Sequence, residues 1–345
     1  MNQRNDDNSR VKVNKQELQI LLNLEKNKSI SLSYPFFKLD FFEARVKGSG
    51  YNLKLVSKEN DFENLKNFIG DKVEEFPKYE DIYEILFLSD IIEYDNLHTV
   101  LENRYFGKSE HKKVFYALDT NLFYHGFPFH NKYGTDVNFL VSNVVYEEIE
   151  SSINSKYSKN TITEMKELVK YNPNLLNILL NRKTKKSRKA TYAAMQSYSS
   201  ISDQRTDYDS EYYATKDSEE NDKLIVWSLR DFDHNNPDNN IVFLTADSNA
   251  SDICRGKGPD CHFLKYPGYQ DFKWCTPQQL IDLIYWSSII HGIIKCNSVI
   301  ICGEYPGKGK NDTELQLMFQ NSDLRDKFKT ELDICRKLLD LNIIS

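Results

Sequence analysis

Two short apolar runs in this chain each stop at an aspartate: V-F-Y-A-L at 114–118 before Asp119, and I-V-F-L-T-A at 241–246 before Asp247. Runs of this composition suit strands covered on both faces, as in a parallel sheet flanked by helices. A carboxylate just past such a strand lies where open α/β sheets place their ligands. Taken alone, Asp119-Thr120-Asn121 is equally ordinary helix-capping and turn chemistry. What matters is whether other carboxylates reach the same edge.

Two further segments bring candidates. N-F-L-V-S at 138–142 reads as a second buried strand. The helix after it is capped by Ser142 or Asn143, which puts Glu147 and Glu148 in its first turns, where acidic residues suit the helix dipole. A later helix is expected to start at Asn221 and Asp222, with Leu224, Ile225, Trp227 and Leu229 as its apolar faces. In parallel βαβ units, strand ends and the following helix starts share one edge, so Asp119, Glu148, Asp222 and Asp247 should converge there. Capping accounts for any one of them but not for the same placement four times. Four carboxylates in one cleft repel, and a hard divalent cation with oxygen ligands resolves the repulsion.

At 345 residues, two domains are expected. Residues 1–10 read as a frayed polar tail. Residues 11–111 mix helical spacing with strand-like runs at 30–37 and 51–56, and read as a smaller α+β or mainly helical domain of unknown function. The charged stretch 108–113 marks the join. Residues 112–310 are expected to form the α/β domain, with further strands at 261–265 and 298–302 and a helix opened by Thr276 and Pro277. An insertion occupies about 181–220, its polar part from 199 onward expected to be mobile. Residues 311–345 form a C-terminal helical extension. Around 122–135 an aromatic and Gly/Pro-rich stretch places Tyr124, Phe127 and Phe129 either as base-stacking groups or as core.

The net charge of −6 gives no global case for nucleic-acid binding, so local charge matters more. Arg182, Lys183, Lys185, Lys186, Arg188 and Lys189 place six cations in eight residues, suited to phosphate contacts or to a solvated face. The six cysteines show no C-x-x-C spacing, which leads us to expect reduced thiols and a cytoplasmic protein. Cys254, Cys261 and His262 lack an evident fourth zinc ligand. The most apolar region, 280–302, carries Asp282, His291 and Lys295, which argues against a membrane span.

Together, L-D-T-N at 118–121, V-x-x-E-I at 145–149, N-D at 221–222 and F-L-T-A-D at 243–247 resemble the PIN-domain nucleases over about 114–302. The resemblance implies a three-layer α/β/α domain with a central, mostly parallel sheet. It also implies metal-dependent endoribonuclease chemistry on single-stranded RNA, with Asp119, Glu148, Asp222 and Asp247 holding Mg²⁺ or Mn²⁺. Thr245, Ser248 and Asp252 would assist. The first region, the long insertion and the extended C-terminus depart from small family members and leave the substrate open. They also leave room for self-association or a protein partner through the first region. Two rivals are a haloacid-dehalogenase-like phosphatase, which would need an Asp where Asn121 stands, and an inactive PIN-like binding or assembly subunit.

Overall fold

The computed structural model describes residues 10–25, 29–102, 112–130, 137–268, 272–309 and 313–341. The polar tail and most of the join at 108–113 lie outside the described residues. In chain order the strands begin with β1 (Arg10–Val13), β2 (Ile30–Tyr34), β3 (Leu39–Lys47), β4 (Gly50–Leu55), β5 (Lys113–Leu118) and β6 (Asn138–Ser142). They continue with β7 (Arg205–Tyr208), β8 (Asn239–Thr245), β9 (Asp260–Phe263), β10 (Phe272–Cys275), β11 (Ile293–Cys296), β12 (Val299–Cys302) and β13 (Leu315–Phe319). They divide between two compact units, one built from Met1–Ile91, Ser155–Arg188 and Gln270–Ser345, the other from Ile92–Asn154 and Lys189–Tyr269.

The second unit is a three-layer α/β/α domain around a five-stranded, wholly parallel sheet in the order β7-β6-β5-β8-β9. Its inner strands are the two apolar runs, with Phe115 to Leu118 and Ile241 to Leu244 all buried. This is why both lack the polar alternation of a half-exposed strand. Helices Asn143–Ser151, Ser218–Asn235 and Ser248–Lys257 flank the sheet.

Part of the stretch expected to be a mobile insertion belongs to this sheet. β7 pairs in parallel with β6, Phe139 opposite Arg205 through Ser142 opposite Tyr208. The strand is R-T-D-Y, a polar edge with no apolar run to announce it. Its order comes from side chains: the Arg205 guanidinium lies 3.5 Å from the Tyr198 ring centre, and its Nε donates to Asp207 at 2.8 Å. The loop beyond is tied down by Asn143, which accepts from Ser210 and donates to the Tyr212 carbonyl, and by Glu147, which accepts from the Ala214 N–H at 2.9 Å.

The next helix also starts earlier than expected. Asp217 is its cap, accepting from the Glu219 N–H at 3.0 Å, so Asn221 and Asp222 stand fourth and fifth within it. Asp217→Ala should therefore cost about 1 kcal/mol in urea unfolding; an unchanged midpoint would place the helix start elsewhere.

The first unit carries an eight-stranded antiparallel sheet in the order β1-β13-β12-β11-β2-β3-β4-β10. Here lies the fifth strand expected of the parallel sheet. The fully buried V-I-I-C of β12 reads alike in either kind of sheet, but Asn297 (φ 49°) and Ser298 turn β11 straight back into it as a hairpin. The helix Pro277–His291 forms as expected behind a Thr276–Gln279 capping box, and belongs to this unit too. The terminal helix is Ser322–Asp340. The linear division at 111 and 310 thus gives way to interleaved segments, because strands at both ends of the chain complete one sheet. Among the described residues no helix is long and apolar enough to cross a membrane.

Candidate active site

The pairing of β5 with β8 builds the first half of the site. Leu118 lies opposite Leu244, and the Asp119 N–H continues the ladder by donating to the Leu244 carbonyl at 3.1 Å. Asp119 therefore emerges beside Thr245, whose Oγ1 donates to Asp119 Oδ2 at 2.7 Å and accepts from the Asp247 N–H at 2.9 Å. One hydroxyl thus couples the two strand-end aspartates. Asp247 Oδ1 accepts from the N–H groups of Asn249 (2.6 Å) and Ala250 (3.3 Å), so this residue is a helix cap as well.

The second half comes from two helices that share an anchor. Ser142 caps the helix Asn143–Ser151 through the Val144 N–H (3.2 Å) and hydrogen-bonds Ser228 of the helix Ser218–Asn235 at 2.8 Å. These helices carry Glu148 and Asp222, each past the capping positions of its own helix. Thr120 Oγ1 donates to Glu148 Oε2 at 2.7 Å, holding that carboxylate against the end of β5.

Capping, the ordinary explanation for these acids, fails for three of the four. Asp119 precedes a short helix, Thr120–Tyr124, but its side chain makes no capping bond. Glu148 and Asp222 lie inside helices capped by Ser142 and Asp217. Only Asp247 caps.

Asp119 and Asp222 both carry the electrostatic imprint of acidic neighbours. Burial pushes the Asp119 carboxyl up to about 7, reinforced by the charges of Glu148 and Asp247 and opposed by the Thr245 hydrogen bond. Asp222 is also pushed up to about 7, first by burial and then by Asp119, Asp247 and Glu148 in turn. Asp119 thus feels the charges of Glu148 and Asp247, and Asp222 those of the other three acids, while Thr245 is buried and Ser248 is exposed at the start of its helix. Asp252 points elsewhere, 3.6 Å from Arg255. Ser142 caps its helix as the sequence predicts, whereas Thr120 and Ser228 carry no sequence signal for their positioning roles beyond the capping triplet that contains Thr120.

Two expected nucleic-acid contacts are corrected. Lys185 is 4% exposed, its ammonium 2.8 Å from Asp81 and donating to the Phe76 carbonyl at 2.6 Å. Arg188 is fully buried, donating to the carbonyls of Ile289, Ile290 and Lys183 at 2.7–3.0 Å. Both complete the packing of the antiparallel unit, where a phosphate cannot reach them. Arg182, Lys183 and Lys189 are half-buried and Lys186 is exposed. Of the aromatics near the site, Phe127 is buried against Tyr94, as core packing requires.

Comparison with known proteins bears on this segment of the chain. Residues 116–258, which hold all four acids, match the family model of the PIN domain. This segment is a PIN domain. No curated protein matches the chain. Among solved structures it is similar to a domain of a functionally unknown protein from Methanocaldococcus jannaschii DSM 2661. That similarity is 13% in identity, covers 45% of this chain and 94% of the other, and has a TM-score of 0.30.

PIN domains generally use Mg²⁺ or Mn²⁺. Among the described residues no three His, Cys, Asp or Glu side chains form a ready-made ion cage. The fit rests on donor chemistry: four carboxylates, all oxygen donors, with two held far above their ordinary range by burial and mutual repulsion. A hard dication relieves that repulsion.

Proposed function

We propose that the chain is a metal-dependent ribonuclease hydrolysing phosphodiester bonds in single-stranded RNA. The observation that carries this reading is a PIN domain whose four acids converge, three of them with no capping role. Asp119, Asp222 and Asp247 would hold Mg²⁺ or Mn²⁺, with Glu148 as a further ligand or as the group that orients water. When bound, the ion supplies an acidified water and stabilises charge on the phosphate.

The chain's own residues prepare this arrangement. Thr245 fixes the rotamer of Asp119, Thr120 fixes that of Glu148, and the amides of Asn249 and Ala250 fix that of Asp247. Such locking keeps the acids in place against their repulsion without filling the cleft with cations. Ser248 stands at the exposed helix start beside Asp247, where its hydroxyl can donate to a phosphate oxygen.

Labelled single-stranded RNA incubated with the protein should be cut in Mn²⁺ or Mg²⁺ and left whole in EDTA. Asp119→Asn and Asp247→Asn should each lower the rate roughly 1000-fold, equivalent to several kcal/mol of transition-state stabilisation. Cutting that survives both substitutions would overturn the site. Binding without cutting in either metal would replace catalysis with a scaffold role.

A further inference from the structure

The antiparallel unit presents a second surface that the proposed chemistry leaves unused. Where β3, β4 and β10 pair, Arg45 lies opposite Asn52 and Asn52 opposite Trp274, so these three side chains form one row across the sheet face. In the next row Glu43 lies opposite Lys54, while Lys47 lies opposite Gly50. An open hollow of about 440 Å³ is lined by Glu43, Arg45, Lys47, Asn52 and Lys54 together with Val46.

Three features set this face apart. Its charge opposes that of the chain: three cations surround one carboxylate, in a protein of net charge −6. That carboxylate, Glu43, is engaged by Ser29 Oγ at 2.7 Å and by the Arg45 guanidinium at 2.8–3.0 Å, which steadies Arg45 on the surface. Trp274 is 51% exposed, a large apolar ring left in water. Its indole packs against Gly50, where a Cβ would stand 2.7 and 2.9 Å from ring carbons and closer still to the Cys275 carbonyl oxygen, so only glycine leaves room for the ring there.

We propose that this face binds single-stranded RNA, with an unpaired base stacked on Trp274 and the backbone phosphates tracked by Arg45, Lys47 and Lys54. An exposed aromatic platform beside a basic groove is what single-strand binders require, because every base has a π-face and every step carries a phosphate. Glu43 and Asn52 offer acceptors for the ribose 2′-hydroxyl, the group that distinguishes RNA from DNA. The choice of RNA rests on the nuclease reading. The platform itself rests on the sheet face.

The test uses full-length protein carrying Asp119→Asn, in EDTA so that nothing is cut, titrated with fluorescent 12-mers of uridylate and of deoxythymidylate. Binding should quench tryptophan fluorescence and favour the ribo-oligomer. Trp274→Ala should weaken affinity about 5- to 150-fold. Lys47→Gln with Lys54→Gln should lower the slope of log affinity against log salt by about 1.4. Both are surface changes, and matching melting midpoints verify the fold. Unchanged affinity and slope in both variants would overturn the site, and equal or tighter binding of the deoxy-oligomer would overturn the choice of RNA. A wild-type protein that cuts nothing in Mn²⁺, yet shows these losses, would sink the nuclease reading while leaving this face standing.

Discussion

Metal-free Asp119→Asn protein is expected to be more stable than the wild type at pH 8 by about 2–4 kcal/mol and to lose that advantage by pH 4. In the folded wild type burial, helped by the charges of Glu148 and Asp247, pushes the Asp119 carboxyl up to about 7, against 3.8 for the ordinary group. Because the folded state binds the proton more tightly, this carboxyl's contribution to stability is fully present below pH 3.8 and is lost as pH rises toward 7. Above 7 the wild type carries the whole penalty of a buried charge facing Glu148, Asp222 and Asp247. A gap of about three pH units corresponds to about 4 kcal/mol, and relaxation of the cluster brings the expected figure below that ceiling. Asparagine keeps the shape, still accepts from Thr245, and turns an amide donor toward its acidic neighbours.

Urea unfolding in EDTA at a series of pH values checks this, with the two stability curves diverging between pH 4 and 7. Parallel curves would mean that Asp119 is not held in a repulsive cluster. Adding Mn²⁺ at pH 8 should narrow the gap. An ion at 100 times its dissociation constant stabilises the wild type by about 2.7 kcal/mol, and the variant, one ligand short, by much less.

The parallel sheet and its acids were legible because their signals are local and strong. Inner strands of a parallel sheet must be apolar on both faces, so Phe115 to Leu118 and Ile241 to Leu244 announce themselves, and the acids follow at their ends. What was illegible depends on pairing between distant segments. β7 is polar because it is an edge, and only its ladder with β6 reveals it as a strand. β12 has the composition of a parallel-sheet strand, yet its neighbours are β11 and β13. The helix cap at Asp217 was hidden because Asn221 is an equally good capping residue; the structure instead uses Asn221 inside the helix to accept from the Thr215 N–H at 2.7 Å. The basic block shows the same limit more sharply, since composition reports charge and says nothing about whether the charge is buried.

That distinction carries the second large effect. Lys185→Ala should destabilise the antiparallel unit by about 3–5 kcal/mol, because it leaves Asp81, itself 1% exposed, as an uncompensated buried charge. Asp81 also accepts from the Lys78 N–H at 2.8 Å, so replacing both partners with apolar residues should recover most of the loss but not the roughly 1 kcal/mol of the cap. Arg188→Ala should be comparably damaging. It orphans the carbonyls of Ile289 and Ile290 in the last turn of the helix Pro277–His291, and it empties the space over Gly292, where a Cβ would lie 3.0 Å from the guanidinium carbon. Lys186→Gln, next to Lys185 in sequence but exposed, should shift stability by no more than about 0.5 kcal/mol. Denaturation midpoints of the three variants separate a buried framework from a solvated face. If Lys185 and Arg188 instead tracked phosphates, their loss would leave the midpoints alone; their burial requires the opposite, with both midpoints lowered.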